Sequence, residues 1–315
     1  MSVIDRIASS EKTAFSFELL PPLKGKGLES VYKTIDTLRE FDPKYINITT
    51  HRSELVYREN AQGLFERVSE RHRPGTVAIA AAIQHKYGIP VVPHILCSGF
   101  TREETEYVLI DLQFLGITDL LLLRGDKAKH EKTYIPTGNV HATDLQAQVN
   151  AFNNGFFADG LPMTETGEKF SYGMACYPEK HDEAPNLESD LYWAKKKVEG
   201  GAEYLVTQMF FDNNAYFRFV EKCRQVGINV PIIPGLKPIT LCNQINVLPK
   251  VFHVDLPEAF AAELRKCKTD AEATEVGVEW CTLQAQELVK YGVPSIHFYT
   301  LMATPSVKRV ALQVF

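Results

Sequence analysis

The sequence has no Cys-x-x-Cys pair. Its six cysteines, Cys97, Cys176, Cys223, Cys242, Cys267 and Cys281, are scattered. That spacing speaks against a structural zinc site and against a disulfide framework, and reads as reduced thiols in a cytoplasmic protein. No apolar run approaches the ~20 residues of a membrane span. Met1 to Lys12 is mixed polar and lacks the apolar centre of a signal peptide. A basic excess is missing as well: the formal net charge is −5 over 315 residues. Neither nucleic acid nor an anionic membrane is therefore expected as a partner. There is no internal repeat, low-complexity tract or domain linker. Nor is there a Gly-x-Gly-x-x-Gly or Walker loop; Lys24-Gly25-Lys26-Gly27 comes nearest and reads as a mobile basic loop.

What is present is ordinary globular material, 45% hydrophobic and 23% charged, arranged in a repeating order. Helix-like segments near 61–87, 102–115, 187–199, 213–226 and 271–291 each run into glycine, and an apolar β-rich run follows at once. Glycine after a helix accepts the left-handed conformation that turns the chain back. Helices alternating with buried strands imply a parallel sheet. Strands are expected at 14–19, 44–50, 91–97, 119–124, 172–177, 203–209, 230–234 and 294–299. Eight of them match an α/β fold of the TIM-barrel type, a single-domain (β/α)8 barrel over 1–315. A doubly wound open sheet is the competitor, weakened by the missing glycine loop. Two stretches break the alternation and read as insertions: 152–169, rich in turn residues, and 240–270, expected to be helical.

Two apolar strands end in a carboxylate. Phe15-Ser16-Phe17-Glu18 meets Leu19-Leu20-Pro21-Pro22, and Leu120-Leu121-Leu122-Leu123 meets Arg124-Gly125-Asp126. A strand end fixes a side chain while the next loop leaves it accessible. In a barrel, Glu18, Thr49, Thr50, His94, Asp126, Tyr177 and Gln208 would share one mouth. A metal is not expected, because no dense ligand cluster accompanies the single histidine. Lys237 could form a Schiff base, yet reads better as a solvated loop cation.

Seven motifs in order carry a resemblance. They are Phe15-Ser16-Phe17-Glu18 with Pro21-Pro22, Pro93-His94 before Cys97, Leu123-Arg124-Gly125-Asp126, and Ala175-Cys176-Tyr177-Pro178-Glu179 with His181. Thr207-Gln208 with Phe210-Phe211-Asp212, Ile232-Ile233-Pro234-Gly235 and His297-Phe298-Tyr299-Thr300-Leu301 complete them. From about residue 14 to 301 the chain resembles the methylenetetrahydrofolate reductase family in its bacterial single-domain form. The resemblance implies FAD at the mouth of a (β/α)8 barrel and a role in one-carbon metabolism and methionine biosynthesis. It also implies a ping-pong reaction in which NADH or NADPH delivers a hydride that methylenetetrahydrofolate later accepts.

By position, Glu18 resembles the family's general acid, and Asp126 the acid that touches both pterin and flavin. Gln208 and Gln244 fall at folate-binding positions. Thr49, Thr50, His94, Arg124, Gly125, Asp126, Ala142, Tyr177, His181, Ala184, Asp190, Lys196 and Lys197 align with flavin contacts. Several positions depart from the pattern. Met302-Ala303 stands where relatives carry Asn-Arg, so Lys308 or Arg309 becomes the candidate cation for the folate tail. Leu248 replaces a stacking aromatic, Trp193 replaces a flavin-contacting Asn, and the 152–169 insertion could cover the mouth. Two alternatives stay open: another FAD-dependent barrel oxidoreductase of the proline dehydrogenase kind, and a non-catalytic subunit that binds folate or a partner. The choice of nicotinamide and the oligomeric state, homo-oligomer or monomer, are open too.

Overall fold

The computed structural model describes residues 1–126, 136–301 and 303–315, the Leu55 side chain excepted. Helix α1 (Val3–Ala8) precedes β1 (Ala14–Leu19), α2 (Glu29–Leu38) and β2 (Tyr45–Ile48). A hairpin of β3 (Glu54–Glu59) and β4 (Phe65–Glu70) follows, then α3 (Thr76–Tyr87) and β5 (Val91–Leu96). Next come α4 (Arg102–Phe114), β6 (Asp119–Leu123), α5 (Ala142–Asn153) and β7 (Ser171–Cys176). Then follow α6 (Leu187–Glu199), β8 (Tyr204–Thr207), α7 (Asn213–Gln225), β9 (Ile232–Ile233) and β10 (Gly235–Leu236). The chain ends with α8 (Gln244–Phe252), α9 (Glu258–Lys266), α10 (Asp270–Tyr291), β11 (Ser295–Phe298) and α11 (Thr304–Ala311).

Nine parallel strands form one sheet in the order β10-β11-β1-β2-β5-β6-β7-β8-β9. The two outermost members, β9 and β10, are consecutive in the chain and separated by Pro234 alone. They act as the seventh barrel strand, β9 pairing with β8 and β10 with β11. This is the expected (β/α)8 barrel, with strands in all eight expected places. Pro234 cannot donate to a ladder, but its carbonyl accepts from His297 N at 3.0 Å. Glycine is required next to it, because a Cβ at Gly235 would lie 2.5 Å from the Tyr299 ring and 2.7 Å from Thr207 O.

Alternation along each strand splits the core in two. Phe15, Phe17, Ile46 and Ile48 face outward into the helix layer. Tyr45, Val92, Leu121, Tyr204 and Ile233 face inward with Val3 and Ile7 of α1. Helix α1 thus closes the N-terminal end of the barrel. It is held there by Asp119, whose Oδ1 accepts from Val3 N at 2.9 Å.

Three expectations are corrected. The segment near 61–87 is helical only over α3; its first part is strand β4, paired antiparallel with β3. The 152–169 insertion does not cover the mouth. It joins the far end of α5 to the start of β7, and is pinned to α4 by Ala158 N donating to Glu106 Oε2 and Gln113 Nε2 donating to Glu168 O. It lies at the end of the barrel closed by α1. Lys24 is not a loose basic tip, since it is ion-paired with Glu70 of the hairpin. The 240–270 connection is helical as expected, forming α8 and α9, which cover a separate cluster around Leu248, Phe260 and Leu264.

Candidate active site

The registers at the C-terminal strand ends explain how distant residues meet. Glu18 pairs with Asn47 across β1 and β2. Phe17 and Leu236 both pair with Phe298, from opposite sides. One residue further along, Lys237, Tyr299, Glu18 and Asn47 occupy one level at the barrel mouth. Above them opens a cavity of about 860 Å³, at the large end of ligand sites.

Glu18, Thr49, Thr50, His94, Arg124, Gly125 and Asp126 line this cavity, as do Ala142, Tyr177, His181, Ala184, Asp190, Lys197 and Gln208. The fold therefore gathers most of the residues singled out in the sequence. Two stay outside. Lys196 pairs with Glu199 at 2.6 Å on the solvent face of α6. Gln244 turns back on its own helix start, its Oε1 accepting from Thr240 N and Leu241 N at 2.7 and 3.1 Å. Lys308 and Arg309 are also absent from the lining. They pair with Glu40 and Glu275 instead. Leu248 is buried away from the cavity, while Trp193 lines it. Met302 lies outside the described residues, and Ala303 is buried.

The electrostatics divide the wall into two zones. At the floor, Glu18 is 6% exposed and burial pushes its carboxyl up to about 7, against the pull of Lys237. His94 and His297 are buried beside it, and burial depresses both to about 3, so both are neutral at physiological pH. His94 Nε2 is 3.2 Å from Asn47 Nδ2, and His297 Nδ1 is 3.0 Å from Ser16 Oγ. Among the described residues Asn47 Oδ1 and His297 Nε2 are buried with no hydrogen-bond partner, and both residues line the cavity. Unpartnered buried polar atoms on a cavity wall are what a polar ligand would satisfy.

Further out, the wall carries cations. Arg124 holds Glu183 through two contacts, and Lys197 donates to Ala175 O at 2.8 Å. Burial lowers the Lys197 ammonium and raises the Asp190 carboxyl, which accepts from His181 N at 3.1 Å. Tyr177 packs edge-on against His181, ring centres 4.6 Å apart. The Thr50 hydroxyl donates to His94 O at 2.5 Å and ties β2 to β5. Gly125 sits at φ 80°, a left-handed turn that lets the Asp126 backbone swing past Ser98. Among the described residues no group of three His, Cys, Asp or Glu side chains gathers as for a metal ion.

Sequence reasoning missed Asn47, Arg52, Ser98 and Glu183, all of which line the cavity. Asn47 left a signal, a lone amide between Ile46 and Ile48 on the inward face. Arg52 donates to Ser98 Oγ at 2.9 Å from a loop with no pattern to mark it. Lys237 was misread: it is 6% exposed rather than solvated.

The 5,10-methylenetetrahydrofolate reductase of Escherichia coli is 30% identical over 291 residues, covering 91% of this chain and 85% of that protein. Methylenetetrahydrofolate reductase (NADH) 1 of Arabidopsis thaliana is 30% identical over 319 residues, covering 96% of this chain and 48% of that protein. The chain spans about half the length of such plant, nematode and yeast relatives. Among solved structures, a Clostridium thermocellum protein described as binding two copies of 5-methyl-5,6,7,8-tetrahydrofolic acid shares the fold. Its TM-score is 0.57 at 14% identity, over 98% of this chain and 97% of that one. The family model for methylenetetrahydrofolate reductase matches residues 3–314, so the chain belongs to the methylenetetrahydrofolate reductase family.

Proposed function

We propose that this protein reduces 5,10-methylenetetrahydrofolate to 5-methyltetrahydrofolate, with FAD bound in the mouth cavity and NADH or NADPH as the electron source. The observation that carries the reading is Glu18: a buried acid with a carboxyl near 7, on the cavity floor, at the family's general-acid position.

The residues present fit a flavin dinucleotide. The unpartnered Asn47 Oδ1 and His297 Nε2 offer one acceptor and one ring nitrogen to a polar ring system. Arg124 and Lys197 supply fixed charge for the pyrophosphate and ribityl region, and Thr49, Thr50, His94, Tyr177, His181 and Asp190 surround it. When bound, FAD supplies a two-electron store, so that donor and acceptor react in separate encounters.

The chain's own residues then do the following. Glu18 is poised to give its proton to the departing nitrogen of the imidazolidine ring, because burial keeps the proton on near neutral pH. Asp126, at the rim, offers a carboxylate to the pterin and to the cation formed when that ring opens. Gln208 lies across the mouth as a hydrogen-bonding partner for folate, its Oε1 now accepting from Met209 N at 2.9 Å. A placement in the cytoplasm accords with six free cysteines.

The purified protein provides the test. A yellow flavin spectrum that bleaches with NADH or NADPH and returns with methylenetetrahydrofolate is expected. A colourless protein that binds no added FAD would overturn the reading.

A further inference from the structure

Lys237 is a cation buried at the barrel mouth, and among the described residues it makes no hydrogen bond or ion pair. An ammonium so largely withdrawn from water and without an acceptor is costly unless another charge compensates it. The strand register supplies the compensating group. β10 and β1 flank β11, and Leu236 and Phe17 pair with the same residue, Phe298. Lys237 and Glu18 therefore stand at one level, two strands apart. That is about 10 Å between backbones, and across it Lys237 lowers the Glu18 carboxyl while Glu18 raises the Lys237 ammonium.

The other titratable groups packed around Glu18 carry no charge near neutral pH. Tyr299, between the two just past β11, is partly buried and donates its hydroxyl to Thr207 O at 2.6 Å. His297 of β11 and His94 of β5 are buried and neutral. Cys281 of α10, which faces Lys237, is a buried thiol. Lys237 is the charge that acts on Glu18, and Glu18 holds the Lys237 proton in return.

We propose that Lys237 is a positioning residue for the Glu18 proton: its charge opposes burial and keeps the acid able to release that proton to substrate. This rests on the reading of Glu18 as the general acid. In that step the proton leaves the carboxyl oxygen for the departing nitrogen. That nitrogen's bond to the methylene carbon opens with the electron pair remaining on nitrogen. A carboxylate is left on the cavity floor, and the ammonium stabilises it there. Burial alone would hold the carboxyl too high to be an effective donor.

The test titrates Glu18 directly in the holoenzyme. Infrared difference spectra locate the protonated-carboxyl band, assigned by its loss in Glu18→Gln. Lys237→Met should move its midpoint up by about one pH unit, the effect of a neighbouring charge at a partly screened distance. The alkaline limb of the folate half-reaction should move with it, and Lys237→Arg should restore both. If the methionine variant does not fold, Lys237→Gln carries the same test. An unmoved midpoint overturns the proposal whatever folate turnover does. A moved midpoint with an unmoved kinetic limb overturns it together with the reading of Glu18 as the acid, and the infrared result tells the two failures apart.

Discussion

Arg124 and Glu183 hold each other across the cavity rim, Nη1 to Oε2 at 2.5 Å and Nη2 to Oε1 at 3.1 Å. The Arg124 hydrogen bond is the first cause keeping the Glu183 carboxyl below the usual carboxylate range. A guanidinium fork that already holds a carboxylate must share or exchange it to meet a pyrophosphate. Glu183→Gln should therefore tighten FAD binding to the apoprotein, by about three- to tenfold at low salt and less as salt rises. Quenching of flavin fluorescence during titration measures it. Weaker binding in the variant would mean that Glu183 orders the arginine for the ligand rather than competing with it.

Glu18→Gln separates the two half-reactions. A glutamine keeps the shape but has no carboxyl proton to give. Flavin reduction by the nicotinamide should survive, while folate reduction falls by ~10²-fold or more, the size of a lost general acid. Stopped-flow absorbance follows both. Equal damage to the two would remove Glu18 from the acid role.

Asp126 is exposed at the rim. Its charge opposes a negatively charged reduced flavin, so Asp126→Asn should raise the flavin potential. Like charges near a protein surface repel by about 1 kcal/mol, which is about 20 mV for a two-electron couple. Reoxidation by folate should slow in parallel. A redox titration that finds the potential unmoved, with normal folate turnover, would reduce Asp126 to a turn residue.

Lys308→Ala and Arg309→Ala test a discarded candidate. The missing Arg at Ala303 made both lysine and arginine attractive for the folate tail. Their partners are Glu40 and Glu275, and neither lines the cavity. Folate KM should stay within about twofold of the parent in both variants, at low and moderate salt, as for solvated surface pairs. A KM that rises several-fold at low salt would bring the tail back to α11.

The barrel was legible because its strands are apolar runs that stop at a polar residue and helices α3 to α7 and α10 end near a glycine. Gly88 and Gly292, at φ 65° and 89°, do what the sequence promised. The β3–β4 hairpin was hidden because β4 alternates weakly and is largely solvent-facing. It has no buried face to imprint a period-2 pattern. Lys196 and Lys197 show where motif alignment loses to geometry. Asp190, Trp193 and Lys197 form an i, i+3, i+7 stripe that lines the cavity, whereas Lys196 sits about 100° from Lys197 on α6. Lys237 could not be resolved from spacing, since a loop residue's burial depends on what packs over it, and Gln244 is taken up by the start of its own helix.

The buried histidines set the acid limit of stability. His94 and His297 sit at about 3 in the folded chain, against 6.5 for free histidine. Below pH 6.5 the unfolded chain takes up protons that the folded chain refuses until about 3, so stability falls as pH falls through that window. The slope is about 1.4 kcal/mol per pH unit for each histidine. Glu18 works in the opposite direction, since its carboxyl is raised from 4.5 to about 7. Its contribution is full below 4.5 and is lost as pH rises toward 7. Asp119, raised by burial from 3.8 to about 6, adds to the same loss. Stability should therefore be lost on both sides of a mildly acidic range. His297→Gln removes one of the two histidine slopes, so between pH 6.5 and 4 the variant should gain on the parent by about 1.4 kcal/mol per pH unit. Urea unfolding at a series of pH values reads this directly. Parallel curves for the variant and the parent would mean that His297 is protonated in the folded barrel.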